Sequence, residues 1–187
     1  MIKILGISGS LRAKSFNTAL LRAAKDLAEE PVLLEVATLH GIPLYDGDLE
    51  DAQGTPDAVR ALKEQILASD GLILVTPEYN NGIPGVFKNA VDWLSRQTPG
   101  MSPVFPERPV AVIGTSPGGF GTILAQNHWL PVLKTLGVRQ WNGARLTVSR
   151  AQSVFDTEGQ LVDDAVKKQV AEFIRGFGQF VLHNPKR

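Results

Sequence analysis

Apolar runs of strand length recur along this chain, each separated from the next by a segment of helical periodicity or length. The runs are Ile2 to Ile7, Val32 to Thr38, Gly71 to Thr76, Arg108 to Thr115 and Val138 to Trp141. A helix is expected from Ser15 to about Glu29, with Phe16, Leu20, Ala23 and Leu27 on one face. A second starts at Thr55-Pro56, Thr as its cap and Pro at the first helical position, with Val59, Leu62 and Ile66 inward. A third runs from Pro84 or Gly85 to about Arg96, and a fourth from Phe120 to Leu136 with a kink or break at Pro131. The last runs from Asp163 to Leu182, with Val166, Val170, Phe173, Phe177 and Val181 inward. His40 to Gly54 reads as irregular, because Gly-Ile-Pro and Asp46-Gly47 are turn signals. Strands that alternate with helices need a parallel sheet covered on both faces. Five strands with right-handed crossovers predict a doubly wound α/β sheet of order 2-1-3-4-5. No repeat or linker interrupts the pattern, so one domain is expected over residues 1–187.

Composition narrows the function. Formal net charge is +0 and no stretch is strongly basic, which argues against a nucleic-acid partner. The absence of cysteine excludes a thiol nucleophile, a disulfide framework and a cysteine-ligated metal. His40 and His128 are too isolated to suggest a metal site; His128 is expected on a helix surface or a pocket rim. The N-terminus shows no basic, apolar and small-residue segments in series, and no apolar run reaches the roughly 20 residues that span a bilayer. The expectation is a cytoplasmic protein with no membrane partner.

Three loops carry the chemistry. In an open parallel sheet they lie together at the carboxyl ends of the strands, where ligands bind. The first, Gly9-Ser10-Leu11-Arg12-Ala13-Lys14-Ser15-Phe16-Asn17-Thr18, has the makings of a phosphate cradle. Loop and helix-start N–H groups supply donors, Ser10, Ser15, Asn17 and Thr18 add side-chain donors, and Arg12 can pair with a dianion. The plainer alternative is that Ser15 and Asn17 cap the helix and Arg12 is solvated. The loop is neither a P-loop nor a G-x-G-x-x-G fingerprint. The second loop, Thr76-Pro77-Glu78-Tyr79-Asn80-Asn81-Gly82, is stiffened by Pro and made tolerant of unusual backbone angles by Asn and Gly. It suits a wall for a flat heterocycle, and Glu78 is more often a structural acceptor than a base. The third, Gly114-Thr115-Ser116-Pro117-Gly118-Gly119-Phe120-Gly121-Thr122, permits close backbone approach to a ligand. It formally matches the G-x-S-x-G turn of a serine hydrolase, with Asp156 and His183 following in order. However, Pro117 lacks the N–H that such an oxyanion hole uses.

The G-S-L-R-x-x-S-x-N-T, T-P-E-Y-N and S-P-G-x-x-G loops, in that order, resemble the NADPH-dependent FMN reductase family, in the branch of chromate, quinone and azo-dye reductases. The resemblance covers nearly the whole chain, including Phe155-Asp156-x-x-Gly159-x-Leu161. It implies a flavodoxin-like fold and a non-covalently bound FMN. Ser10, Arg12, Ser15, Asn17 and Thr18 would then hold the phosphate. Pro77, Glu78, Tyr79, Asn80 and Asn81 would flank the isoalloxazine, and Ser116, Gly118 and Gly119 would cover its pyrimidine end. Thr122 departs from the pattern, standing where many relatives carry glycine. The implied activity is ping-pong hydride transfer from NADPH or NADH to a quinone, flavin, azo compound or metal oxyanion such as chromate. No side chain is assigned as catalytic acid or base, and no metal is implied.

A homodimer or homotetramer is expected from the same resemblance. The third helix is apolar on more than one side, and Trp93 is expected either at a subunit interface or under the Gln97 to Phe105 loop of its own chain. A non-catalytic FMN-binding sensor or electron carrier is the alternative function. The balanced 19 basic and 19 acidic residues do not suit an acidic carrier.

Overall fold

Burial on both faces explains why the inner strands Ile2–Ser8, Gly71–Val75 and Pro109–Thr115 read as apolar runs, whereas the edge strand Val32–Ala37 is only partly buried and alternates. A computed structural model describes residues 1–185. Its elements are β1 (Ile2–Ser8), α1 (Phe16–Asp26), β2 (Val32–Ala37), α2 (Gly47–Gln53), α3 (Asp57–Leu67), β3 (Gly71–Val75), α4 (Gly85–Ser95), β4 (Pro109–Thr115), α5 (Ile123–Thr135), β5 (Arg139–Gln140), β6 (Leu146–Val148), α6 (Ala151–Val154) and α7 (Asp164–His183). The sheet is parallel, in the predicted order β2-β1-β3-β4-β5, with β6 also pairing β4.

Side-chain alternation splits the core into two layers. Ile4, Ile73, Val75, Ala111 and Ile113 face α1 and α7, where they meet Leu20, Leu21, Val170, Phe173 and Phe177. Leu5, Ile7, Leu72, Leu74 and Val110 face α3, α4 and α5, where they meet Val59, Leu62, Phe87, Trp93 and Trp129. The first helix lies close because β1 carries Gly6: a Cβ there would stand 2.2 Å from Leu21 Cδ1.

Several boundaries differ from the sequence expectations, each for a physical reason. The fifth sheet position is split. β5 pairs with Pro109 and Val110, and β6 with Ile113, Gly114 and Thr115. Two- and three-residue strands are too short to display periodicity. Helices α2 and α6 were unforeseen for the same reason, and α2 buries no residue. Thr55 is not the cap of α3; Pro56 is, and it makes no side-chain capping bond. The Thr55 hydroxyl instead pairs with Thr98 Oγ1 at 2.9 Å. Lys63 Nζ donates to the same Thr98 oxygen at 2.7 Å and to the carbonyl of Arg96. A long-range polar cluster has overridden a local capping rule, and burial there pushes the Lys63 ammonium pKa down. Helix α5 starts at Ile123 rather than Phe120 and continues through Pro131 without the expected break. The carbonyl freed by Pro131 belongs to Asn127, an exposed residue that water can reach.

Trp93 is not at the surface of the chain; it is buried in the cluster that also holds Val104 and Phe105 of the Gln97 to Phe105 loop. It is 0 % exposed, donates from Nε1 to the Pro43 carbonyl at 3.0 Å, and meets the Tyr45 ring edge-on at 4.9 Å. Asn89, one turn earlier, also donates to the Pro43 carbonyl and accepts from the Tyr45 N–H, both at 2.8 Å. The stretch expected to be irregular is thus stapled over α4. No helix among the described residues is long and apolar enough to cross a membrane.

Trp93→Ala should therefore cost about 3–5 kcal/mol of folding stability, as other buried large-to-small changes do. Urea unfolding measures this, and a loss below about 1 kcal/mol would contradict a core role for Trp93.

Candidate functional site

Strands β1, β3 and β4 are neighbours, so the loops after them emerge side by side at one edge of the sheet. Backbone bonds draw them together: Gly9 N–H donates to the Val75 carbonyl at 2.9 Å, and Thr76 N–H to the Ile113 carbonyl at 2.8 Å. Gly114 is required where the second and third loops meet, because a Cβ there would lie 2.1 Å from the Thr76 carbonyl oxygen and 2.3 Å from Thr122 Oγ1. Thr122 is fully buried at this junction and its Oγ1 accepts from Gln126 Nε2 at 3.2 Å. The threonine that departs from the family pattern is packed directly against Gly114.

In the first loop, Ser15 is the N-cap of α1 and its Oγ accepts from Thr18 N–H at 3.3 Å. Buried Ser10 accepts from Arg12 N–H at 3.2 Å, and Thr18 Oγ1 pairs with Ser8 Oγ at 2.8 Å. Asn17 does not point its amide into open space. Its Nδ2 donates to the Thr115 carbonyl at 2.8 Å and its Oδ1 accepts from Thr115 N–H at 3.0 Å. Its side chain clamps the start of α1 to the end of β4. What remains free are the Arg12 guanidinium and the Lys14 ammonium, which have no ion pair among the described residues, and the N–H groups of Phe16 and Asn17 in the first turn of α1. His40, at the end of β2, supports this loop from behind. One ring nitrogen lies 3.2 Å from the Leu11 carbonyl and the other 3.1 Å from Thr38 Oγ1. Nothing local in the sequence pointed to it.

In the second loop, Tyr79 and Gly82 exchange two backbone bonds of 3.2 and 3.0 Å. Between them Asn80 and Asn81 hold φ values of 50° and 63°, the tight hairpin turn that asparagine tolerates. Pro77 is buried, and Tyr79 remains half exposed. Glu78 Oε2 accepts from Leu124 N–H and Ala125 N–H, both at 2.9 Å. The carboxylate therefore caps α5 and meets the positive end of its dipole. His128, on α5, stands at the rim: a Cβ on Gly82 would come within 3.9 Å of its ring.

In the third loop, Ser116 Oγ donates to the Gly121 carbonyl at 2.6 Å, and the Gly118 carbonyl accepts from Arg150 N–H at 3.0 Å. A Cβ on Gly119 would meet nothing within 4 Å, so this edge is open to a ligand face. No hydrolase triad forms. The Asp156 carboxylate accepts from the N–H groups of Glu158 and Gln160 in its own loop, and His183 Nδ1–H donates to the Gln179 carbonyl. Ser116 is bonded to neither.

The site thus offers one unpaired guanidinium beside two free helix N–H groups, then a stiff hairpin and an open glycine edge. That donor set fits a single phosphate followed by a flat ring, as FMN requires. The family model described as NADPH-dependent FMN reductase matches residues 2–153. Among curated relatives, an NAD(P)H-dependent FMN reductase from Pseudomonas aeruginosa is 43% identical over 180 residues, covering 96% of this chain and 95% of that one. A 2-hydroxy-1,4-benzoquinone reductase from a Burkholderia species is 37% identical, covering 96% of each. Among solved structures, FerB, a flavoenzyme NAD(P)H:(acceptor) oxidoreductase from Paracoccus denitrificans, superposes with a TM-score of 0.85 at 32% identity, over 99% of this chain and 100% of that one.

Asn17→Ala should leave the Thr115 N–H and carbonyl buried without partners and cost about 3 kcal/mol. Chemical denaturation reads this directly. A change below about 0.5 kcal/mol would mean that the clamp carries no stability.

Proposed function

This chain belongs to the NADPH-dependent FMN reductase family, and from that premise we propose that FMN lies across its three loops and that quinones, free flavins, azo compounds and metal oxyanions such as chromate are its electron acceptors. The chain is an oxidoreductase by family. One observation carries the assignment of the site: the loop that holds Arg12, which has no ion pair among the described residues, runs into the free N–H groups at the start of α1, beside the loops after β3 and β4 that would flank a ring.

When bound, FMN supplies the chemistry of accepting and passing on hydride. The chain's own residues bind and orient. Arg12 neutralises the phosphate, with the N–H groups of Phe16 and Asn17 and the hydroxyls of Ser10, Ser15 and Thr18 completing the cradle. Asn17 serves it through the Thr115 clamp. Pro77, Glu78, Tyr79, Asn80 and Asn81 form the ring wall, which Glu78 anchors to α5. Ser116, Gly118 and Gly119 lie at the pyrimidine end, where loop N–H groups can stabilise negative charge. No acid or base is needed in this scheme. NADPH or NADH and the acceptor use one opening in succession. The proposed setting is a single domain over residues 1–187, acting in the cytoplasm, where NAD(P)H is available. A homodimer or homotetramer is part of this proposal. Its support moves from Trp93 to Tyr79, Phe120 and Leu124, which are exposed on either side of the Glu78 contact with α5.

Acid release from the purified protein should give FMN on chromatography; FAD, or a colourless protein that cannot be reconstituted, would contradict the assignment. Arg12→Ala removes a charge-assisted pair of about 1.5–3 kcal/mol, so FMN affinity should fall about ten-fold to a hundred-fold. Riboflavin, which lacks the phosphate, should bind wild type and variant alike; an equal loss for both would place the effect in folding. Steady-state rates with NADPH and a quinone should give parallel double-reciprocal lines, whereas intersecting lines would show both substrates bound together.

A further inference from the structure

Between α1 with the loop that leads into it and the 156–161 loop lies a recess of about 570 Å³. It has the size of a small-molecule site. Its floor is apolar: Phe16, Ala19, Ala23 and Leu27 along one face of α1, with Leu161 opposite. Ala19 and Ala23 are one turn apart, and their small side chains create the hollow. The opposing wall is a bonded hairpin rather than a loose loop. Phe155 and Leu161 pair as an antiparallel bridge, and the Asp156 carboxylate accepts from the N–H groups of Glu158 and Gln160 at 3.0 and 2.8 Å. The Phe16 and Phe155 rings, 5.8 Å apart, join the two walls.

Two cations of the lining that the flavin reading does not use are left for an anion. Lys14 and Arg22 make no ion pair among the described residues, although Asp26 stands four positions after Arg22. Lys167, held by Asp164 at 2.8 Å, is a third cation beside the three lining carboxylates Asp26, Asp156 and Glu158. Asp156 is already satisfied by its own loop.

We propose that this recess is a second binding site, for an amphipathic organic anion: an aryl or acyl body on the alanine floor with a phosphate or carboxylate held by Arg22 and Lys14. It does not rest on the flavin reading, because most of its residues lie outside the three loops.

Calorimetric titration with 1-naphthyl phosphate, on the FMN-loaded protein freed of unbound FMN, tests it. Saturation at one molecule per chain is expected in roughly the 10–100 micromolar range, with no saturable heat from inorganic phosphate or 1-naphthol alone. Arg22→Glu should weaken the binding at least about ten-fold, and Ala23→Trp, which fills the hollow, should abolish it, with flavin content unchanged. Absence of saturable binding below about 1 mM would overturn the proposal. So would binding that Arg22→Glu leaves unaltered, and that variant alone decides the matter should Ala23→Trp fail to fold.

Discussion

The side-chain amide of Asn17 makes two hydrogen bonds to the backbone of Thr115, across 98 positions of sequence. One end of this pair starts the first helix and the other ends the fourth strand. Because β3 lies between β1 and β4 in the sheet, fixing these two ends also confines the loop that leaves β3. The loops after β1, β3 and β4 are therefore held in register by one amide. Two glycines make the closeness possible. Gly6 admits Leu21 of α1, and Gly114 admits both Thr76 and Thr122. A Cβ at either position would push apart elements that the Asn17 clamp needs together.

The rest of the site is rigid for related reasons. Glu78 ties the loop after β3 to the first turn of α5, and the paired asparagines close a hairpin with little freedom. His40, three residues past the end of β2, props the loop after β1. Many polar side chains in the three loops are engaged with the protein itself, while the side chains of Arg12, Lys14, Tyr79, Asn80 and Asn81 and the first helix N–H groups have no partner among the described residues. An arrangement of this kind orders little on binding, which favours affinity.

Much of this was legible from residues alone, and the exceptions share a cause. Strand order followed from strand-length runs alternating with helices, and the position of the three loops at one edge of the sheet followed from their place after those runs. Short elements without periodicity, such as β6 and α2, left no mark. Thr55 looked like a cap because capping rules are local, whereas its partner Thr98 is distant. Trp93 looked available because the segment covering it, Pro43 to Tyr45, has no repeating pattern. Asn17 was legible as a polar group at the right place, but its partner was not. Sequence spacing indicates which side chains occur at a strand end, and only the packed sheet decides which of them pair with one another.

A crystal structure of the protein with FMN bound tests the central claim most directly. The account predicts the phosphate at Arg12 and the N–H groups of Phe16 and Asn17, with the Asn17 amide still paired to Thr115 and the ring against the Pro77 to Asn81 hairpin. A phosphate bound elsewhere, or an Asn17 amide that leaves Thr115 to reach the ligand, would contradict it.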